Sequence, residues 1–193
     1  MNPYSFSENL LVALKKLKLL LERQKISYML IGGIAVALWG EPRATQDIDI
    51  VVLISKDRAF DFLKEAKKYG FSYQEREIRD LLKASLLRLI WQKDFFLMIN
   101  LIIPDTKYQR IALRRRKRKK IGGEYLWFVS PEDLILHKLI AGRAIDIRDA
   151  QTVFHRRKEH LDLTYLGKWA KEWEVEGRLS SLRRKFAIKQ PES

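Results

Sequence analysis

The stretch "IGGIAVALWGEPRATQDIDIVV", residues 31 to 52, leaves few folds open to this chain. A short apolar run ends in Gly32 and Gly33, an uncharged apolar segment follows to Gly40, and Asp47 and Asp49 then lead into a hydrophobic strand. "ISYMLIGG" reads as a strand ending in glycines and "IAVALWG" as a short buried helix. "DIDIVVLIS" reads as a strand that is apolar on both faces from Ile48 onward, as a central strand is. Strand, helix and central strand in such close succession predict a small mixed α/β core.

Side chains alternate faces along a strand, so Asp47 and Asp49 point the same way. Like charges that close repel, which asks for a cation between them. Two parallel carboxylates suit Mg²⁺ (or Mn²⁺), which takes oxygen ligands and keeps waters and a substrate phosphate in its shell. Gly32 and Gly33 stand where a strand passes into a helix, and there bare N–H groups and the positive helix end can cradle phosphate. Arg43 and Thr45 lie between, adding a charge and a hydroxyl. Alone, a D-x-D is an ordinary solvated strand end and a Gly-Gly an ordinary turn. In this order and spacing they outline a nucleoside triphosphate site working by metal clamping and in-line displacement.

The remaining chain supplies helices and a second sheet edge. Ser5 and Glu8 match a capping box, and Leu10, Leu14, Leu17 and Leu21 recur at helical spacing, predicting an amphipathic helix over 7–24. "KDRAFDFLKEAKKYG" reads as a helix closed by Gly70. "ASLLRLIW" and "FFLMINLII" flank Gln92-Lys93-Asp94 as a β-hairpin. "KYQRIALRRRKRKK" carries nine basic residues and no acid between Lys107 and Lys120. Ser130 as N-cap and Pro131 at the first helical position open a helix, and the rest reads as helical to a frayed polar end at "KQPES". The expected fold is α/β (α+β), a small mixed twisted sheet flanked by helices and followed by a C-terminal helical part. Residues 1–104 form the core, 105–122 the basic segment, and 123–193 the helical part completing the cleft.

The chain has 193 residues, 47% of them hydrophobic, with a formal net charge of +14 and no cysteine. Such a charge points to polyanions, nucleic acid first. The absence of cysteine rules out disulfides and thiolate metal sites and fits a cytoplasmic protein. No apolar run approaches the ~20 residues needed to span a bilayer, so no membrane role is expected.

"IGGIAVALWGEPRATQDIDIVV" resembles the signature of the DNA polymerase β-type nucleotidyltransferases, a glycine-led helix before an (R/T)-x-D-x-D strand. It is most similar to the small AbiEii-like branch, which includes toxins of type IV toxin–antitoxin systems. "SPEDLILHKLIAGRAIDIRDAQTV" is similar to that branch's helical motif, and the likeness covers roughly residues 28 to 153. The resemblance implies that Gly32 and Gly33 hold nucleotide phosphates, with Arg43 and Thr45 beside them, and that Asp47 and Asp49 bind Mg²⁺. It implies a phosphate contact for Lys138 and the acid of the helical motif at Asp146 or Asp149. An NTP is the implied substrate and a cognate antitoxin an implied partner. The wider superfamily has a third carboxylate on a neighbouring strand. Asn100 stands there instead, able to offer a metal its carbonyl oxygen but no charge.

Several residues have plainer readings. Asp146 and Asp149 are i, i+3 neighbours with Arg143 one turn before, the spacing of a surface ion pair. His137, His155 and His160 show no zinc-ligand spacing and read as structural or surface residues. The run Arg114, Arg115, Arg116, Lys117, Arg118, Lys119 and Lys120 is a solvated face or a nucleic-acid contact. Its density of like charge favours RNA, such as a tRNA end, as acceptor. Trp127, Trp169 and Trp173 read as core or interface aromatics on helices. The sequence therefore predicts a Mg²⁺-dependent nucleotidyltransferase acting on RNA. Its rivals are the same enzyme acting on a protein or small molecule, and a catalytically weakened nucleotide- or RNA-binding module.

Overall fold

The computed structural model of the chain describes residues 6–74 and 85–187. Ser5, Ala84 and the tail 189–193 lie outside the described residues. Two compact units form, one from residues 1–34 and 43–129, the other from residues 35–42 and 130–193.

The first unit holds a seven-stranded mixed sheet. Its strands are β1 (Ser27–Leu30), β2 (Asp47–Leu53), β3 (Phe71–Ser72), β4 (Leu86–Trp91), β5 (Asp94–Ile102), β6 (Lys117–Ile121) and β7 (Glu124–Phe128), in the order β3-β4-β5-β2-β1-β7-β6. β2 runs parallel to β5 and antiparallel to β1, so it lies at the centre of the sheet, as its two-sided apolar pattern predicts. Ile48, Ile50, Val51 and Val52 are all buried.

Helix α1 (Glu8–Arg23) buries Leu10, Leu14, Leu17 and Leu21 along one stripe. Its cap is Ser7, whose side chain accepts from the N–H of Leu10, two residues later than the predicted Ser5. Helix α3 (Lys56–Lys68) ends before Gly70, whose φ of +90° suits glycine. The predicted hairpin forms as β4 and β5, with a bulge between Ile90 and Trp91.

The basic segment departs furthest from expectation. Lys107–Arg114 is helix α4, opened by a capping box of Thr106 and Gln109. Lys117–Ile121 is the edge strand, paired antiparallel with β7 through a two-residue Gly122-Gly123 turn. Both glycines have positive φ, as a type I′ hairpin turn requires. Trp127 therefore lies on a strand, whereas Trp169 lies on a helix and Trp173 caps its C-terminal end.

The second unit is helical, comprising α5 (Pro131–Ala141), α6 (Ala144–Arg157), a 3₁₀ turn (Lys158–His160), α7 (Leu163–Glu172) and α8 (Glu176–Ala187). Ser130 caps α5 by accepting from the N–H of Asp133, with Pro131 in the first turn. The chain between the units runs through α2 (Gly32–Trp39), buried from Gly33 onward, as its lack of a polar face demands. The C-terminal end of α2 belongs to the helical unit. There Arg156 donates to the Gly40 carbonyl at 2.7 Å and Arg157 to the Trp39 carbonyl at 3.3 Å, so cations meet the negative end of the helix. No helix among the described residues is long and apolar enough to cross a membrane.

Candidate active site

In the first unit the sheet gathers seven of the predicted residues. β1 ends at Leu30, and the N–H of Ile31 donates to the Asp49 carbonyl at 2.9 Å, tying the glycine turn to β2. Gly32 follows with φ +63°. A Cβ on Gly32 would lie 2.0 Å from Asp49 Oδ2, so only glycine allows this backbone to lie against the carboxylate. A Cβ on Gly33 would lie 2.7 Å from Thr45 Oγ1 and 3.3 Å from an Arg43 guanidinium nitrogen. Thr45 Oγ1 in turn donates to the Asp47 carbonyl at 3.2 Å, fixing the approach to β2.

Asp47 and Asp49 are half-buried on one face of β2, opposite Met98 and Asn100 of β5. Burial, and then the charge of Asp49, push the Asp47 carboxyl above its ordinary pKa, while Arg88 pulls it back. A cation between the two carboxylates would relieve that repulsion. Asn100 stands beside Asp49 on the neighbouring strand β5. Its Nδ2 donates to Asp49 Oδ1 at 2.8 Å, and its Oδ1 accepts from Arg88 Nε at 3.2 Å. Reversing the amide would set oxygen against carboxylate and N–H against guanidinium, so the two neighbours fix its orientation. Arg88 is the site residue that the sequence reading did not single out.

The helical unit brings Lys138, Asp146 and Asp149 together. Lys138 Nζ lies 2.9 Å from Asp146 and 2.8 Å from Asp149, with all three residues buried. Arg143 Nε reaches Asp146 at 2.5 Å from an exposed side chain. Lys138, Asp146 and Asp149 thus form a buried cluster and not a surface ion pair. Burial keeps the neighbouring His137 below its ordinary pKa, so it stays uncharged, in line with a structural reading.

At the end of the sheet, Lys117, Arg118, Lys119 and Lys120 are exposed. Arg118 and Lys120 lie over the Tyr125 ring at 4.8 and 5.8 Å, and Arg116 over Trp127 at 4.6 Å. The basic run thus ends helix α4 at Arg114 and continues as a strand from Lys117, whose cations alternate across its faces.

Among the described residues no three His, Cys, Asp or Glu side chains cluster so as to hold a metal ion. The Asp47–Asp49 pair beside the bare Gly32 backbone fits one divalent ion completed by water and phosphate oxygens.

The fold is shared with solved nucleotidyltransferase structures. A nucleotidyltransferase-like antigenic protein of Paracoccidioides brasiliensis matches 96% of this chain and 91% of its own at 19% identity, with a TM-score of 0.54. The antibiotic-resistance factor ANT(2'')-Ia matches 94% of this chain and 96% of its own at 14% identity, TM-score 0.55. The lincosamide adenylyltransferase LnuA matches 79% and 99% at 15% identity, TM-score 0.50. At such identities the likeness is one of fold. No curated protein matches the sequence. The family model that matches residues 8–183 is described as a nucleotidyltransferase of unknown function, DUF6036, and does not confirm the AbiEii-like branch suggested by the motifs. The chain belongs to this DUF6036 family and is an enzyme of the nucleotidyltransferase class.

Proposed function

We propose that the chain binds an NTP with Mg²⁺ (or Mn²⁺) at the Gly32-Gly33 turn and the Asp47–Asp49 pair, and transfers its nucleotidyl group to RNA. The observation that carries this reading is the approach of Gly32 to Asp49, within 2.0 Å of where a Cβ would stand. It supports the reading by bringing the bare Gly32 backbone against the Asp49 carboxylate. When bound, a divalent cation would draw charge from the phosphate oxygens and help align the acceptor.

The chain's own part is positioning and electrostatics. The Gly32 and Gly33 backbone, at the positive end of α2, would hold the phosphates, with Arg43 and Thr45 beside them. An acceptor hydroxyl oxygen then forms a bond to the α-phosphorus. The bond to the bridging oxygen breaks, pyrophosphate leaves with its electron pair, and the acceptor's proton is released. Lys138 turns two of its three N–H donors to buried carboxylates, and we assign Lys138, Asp146 and Asp149 to holding the helical unit together.

RNA is favoured as acceptor by the exposed cations and aromatics of the β6–β7 hairpin, a surface on which phosphates pair and bases stack. A small hydroxylated acceptor is the second reading, supported by the fold match to an antibiotic-resistance factor and to a lincosamide antibiotic adenylyltransferase. A toxin role with a cognate antitoxin rests on the motif resemblance alone, and predicts growth arrest on expression of the chain by itself.

Incubation with each α-labelled NTP, Mg²⁺ and tRNA, cell protein or small hydroxylated compounds tests the reading. Label should appear on RNA and fall about a thousandfold in Asp47→Ala and Asp49→Ala. Label on a small compound would select the second reading. Activity that survived both substitutions would remove the site.

A further inference from the structure

Three side chains stand in register on one face of the sheet. Arg88 of β4 is opposite Asn100 of β5, and Asn100 is opposite Asp49 of β2. The hydrogen bonds from Arg88 to Asn100 and from Asn100 to Asp49 connect them into a chain. A two-ion clamp needs further anionic oxygen to bridge and hold its second cation. Here that place holds an amide whose oxygen faces a guanidinium, and Asp49 Oδ1 already accepts from the amide. A cation placed there would meet a fixed positive charge instead of a ligand. A guanidinium, in turn, presents a planar set of donors suited to phosphate oxygens.

We propose that the site takes a single divalent cation, held by Asp47 and Asp49, and that Arg88, positioned by Asn100, supplies the second positive charge to the triphosphate. The proposal rests on the nucleotidyltransferase reading and deepens it by fixing the metal count and adding a phosphate-binding residue. Arg88 would stabilise the phosphates with or without metal, whereas a metal-bridging acid acts only through the ion.

The test is a Mn²⁺ titration followed by electron paramagnetic resonance, with one equivalent each of protein and a non-hydrolysable NTP analogue. The unmodified chain should bind one Mn²⁺ per complex, and the Arg88→Ala/Asn100→Asp double variant two. Two ions in the unmodified chain would overturn the single-ion site. One ion in the double variant, with circular dichroism unchanged, would overturn the claim that the Arg88–Asn100 pair excludes the second. In EDTA, Arg88→Gln should weaken binding of the analogue about tenfold and Arg88→Lys less, as expected for a direct charge on phosphate. Unchanged affinity would remove Arg88 from the phosphate site. Metal binding indifferent to Asp47→Ala and Asp49→Ala would instead sink the underlying nucleotidyltransferase reading.

Discussion

Gly32 shows how tightly one position can be constrained. Its φ of +63° costs an L-residue about 1–2 kcal/mol, and a methyl group there would also strike the Asp49 carboxylate. Gly32→Ala should therefore lower thermal stability by at least that amount and weaken binding of an NTP analogue at least tenfold. Gly123→Ala is the control. Its φ is +84° but nothing lies within 4 Å of the added methyl, so it should lose stability, by about 1 kcal/mol, with nucleotide affinity unchanged. Equal effects on nucleotide affinity would mean that Gly32 matters only as a turn. Both aspartates and both glycines of the site were legible because strand alternation and a strand-to-helix turn are local rules. Arg88 was not. Reflection about the Gln92-Lys93-Asp94 turn does not set Arg88 opposite Asn100, because the bulge at Ile90/Trp91 shifts the register. A bulge leaves no mark in the apolar pattern of "LLRLIW".

The β6–β7 hairpin is an element the charge pattern concealed. Gly122-Gly123 between Ile121 and Glu124 is a strong turn signal, but the cations beside it resemble a solvated loop. What makes the segment a strand is its partner. Ile121, Leu126 and Phe128 are buried while the lysines and arginines project from an open edge. Charged side chains on such an edge also block unwanted strand pairing, which gives them a purpose without RNA. Salt dependence separates the two. Neutralising Lys117, Arg118, Lys119 and Lys120 should lower the slope of log K against log salt for single-stranded RNA by about three, at roughly 0.7 per phosphate contact. An unchanged slope with new self-association would make the run an edge guard. The opposite lesson comes from Arg156 and Arg157 in the last turn of α6, which cap α2. Arg156 and Arg157 reach carbonyls more than a hundred residues away in sequence, and no local pattern records that pairing.

Across the whole chain, the +14 net charge is borne outside the buried cluster of the helical unit, where Lys138 and Arg143 balance Asp146 and Asp149. Burial alone would raise the Asp146 carboxyl, but hydrogen bonds from Arg143 and Lys138, and then their charges, outweigh it and hold the group below its ordinary value. A carboxyl lowered on folding contributes stability that is present above its unfolded pKa, about 3.9, and is lost as pH falls through the folded one. Asp146→Asn should therefore be less stable than the unmodified chain near neutrality, with the gap closing on acidification. Lys138→Met should follow the same trend for a different reason. It removes the ammonium that lies between the buried Asp146 and Asp149 carboxylates, a defect of about 3–5 kcal/mol near pH 7. Protonation relieves the unpaired buried charge, so the variant should regain stability relative to the unmodified chain as pH falls. Thermal melts of all three proteins between about pH 3 and pH 8 check both trends, and repulsion among the +14 charges largely cancels in the differences. If Lys138→Met melted with the unmodified chain at every pH while binding an NTP analogue more weakly, the lysine would be a phosphate ligand and the cluster no support for the helices.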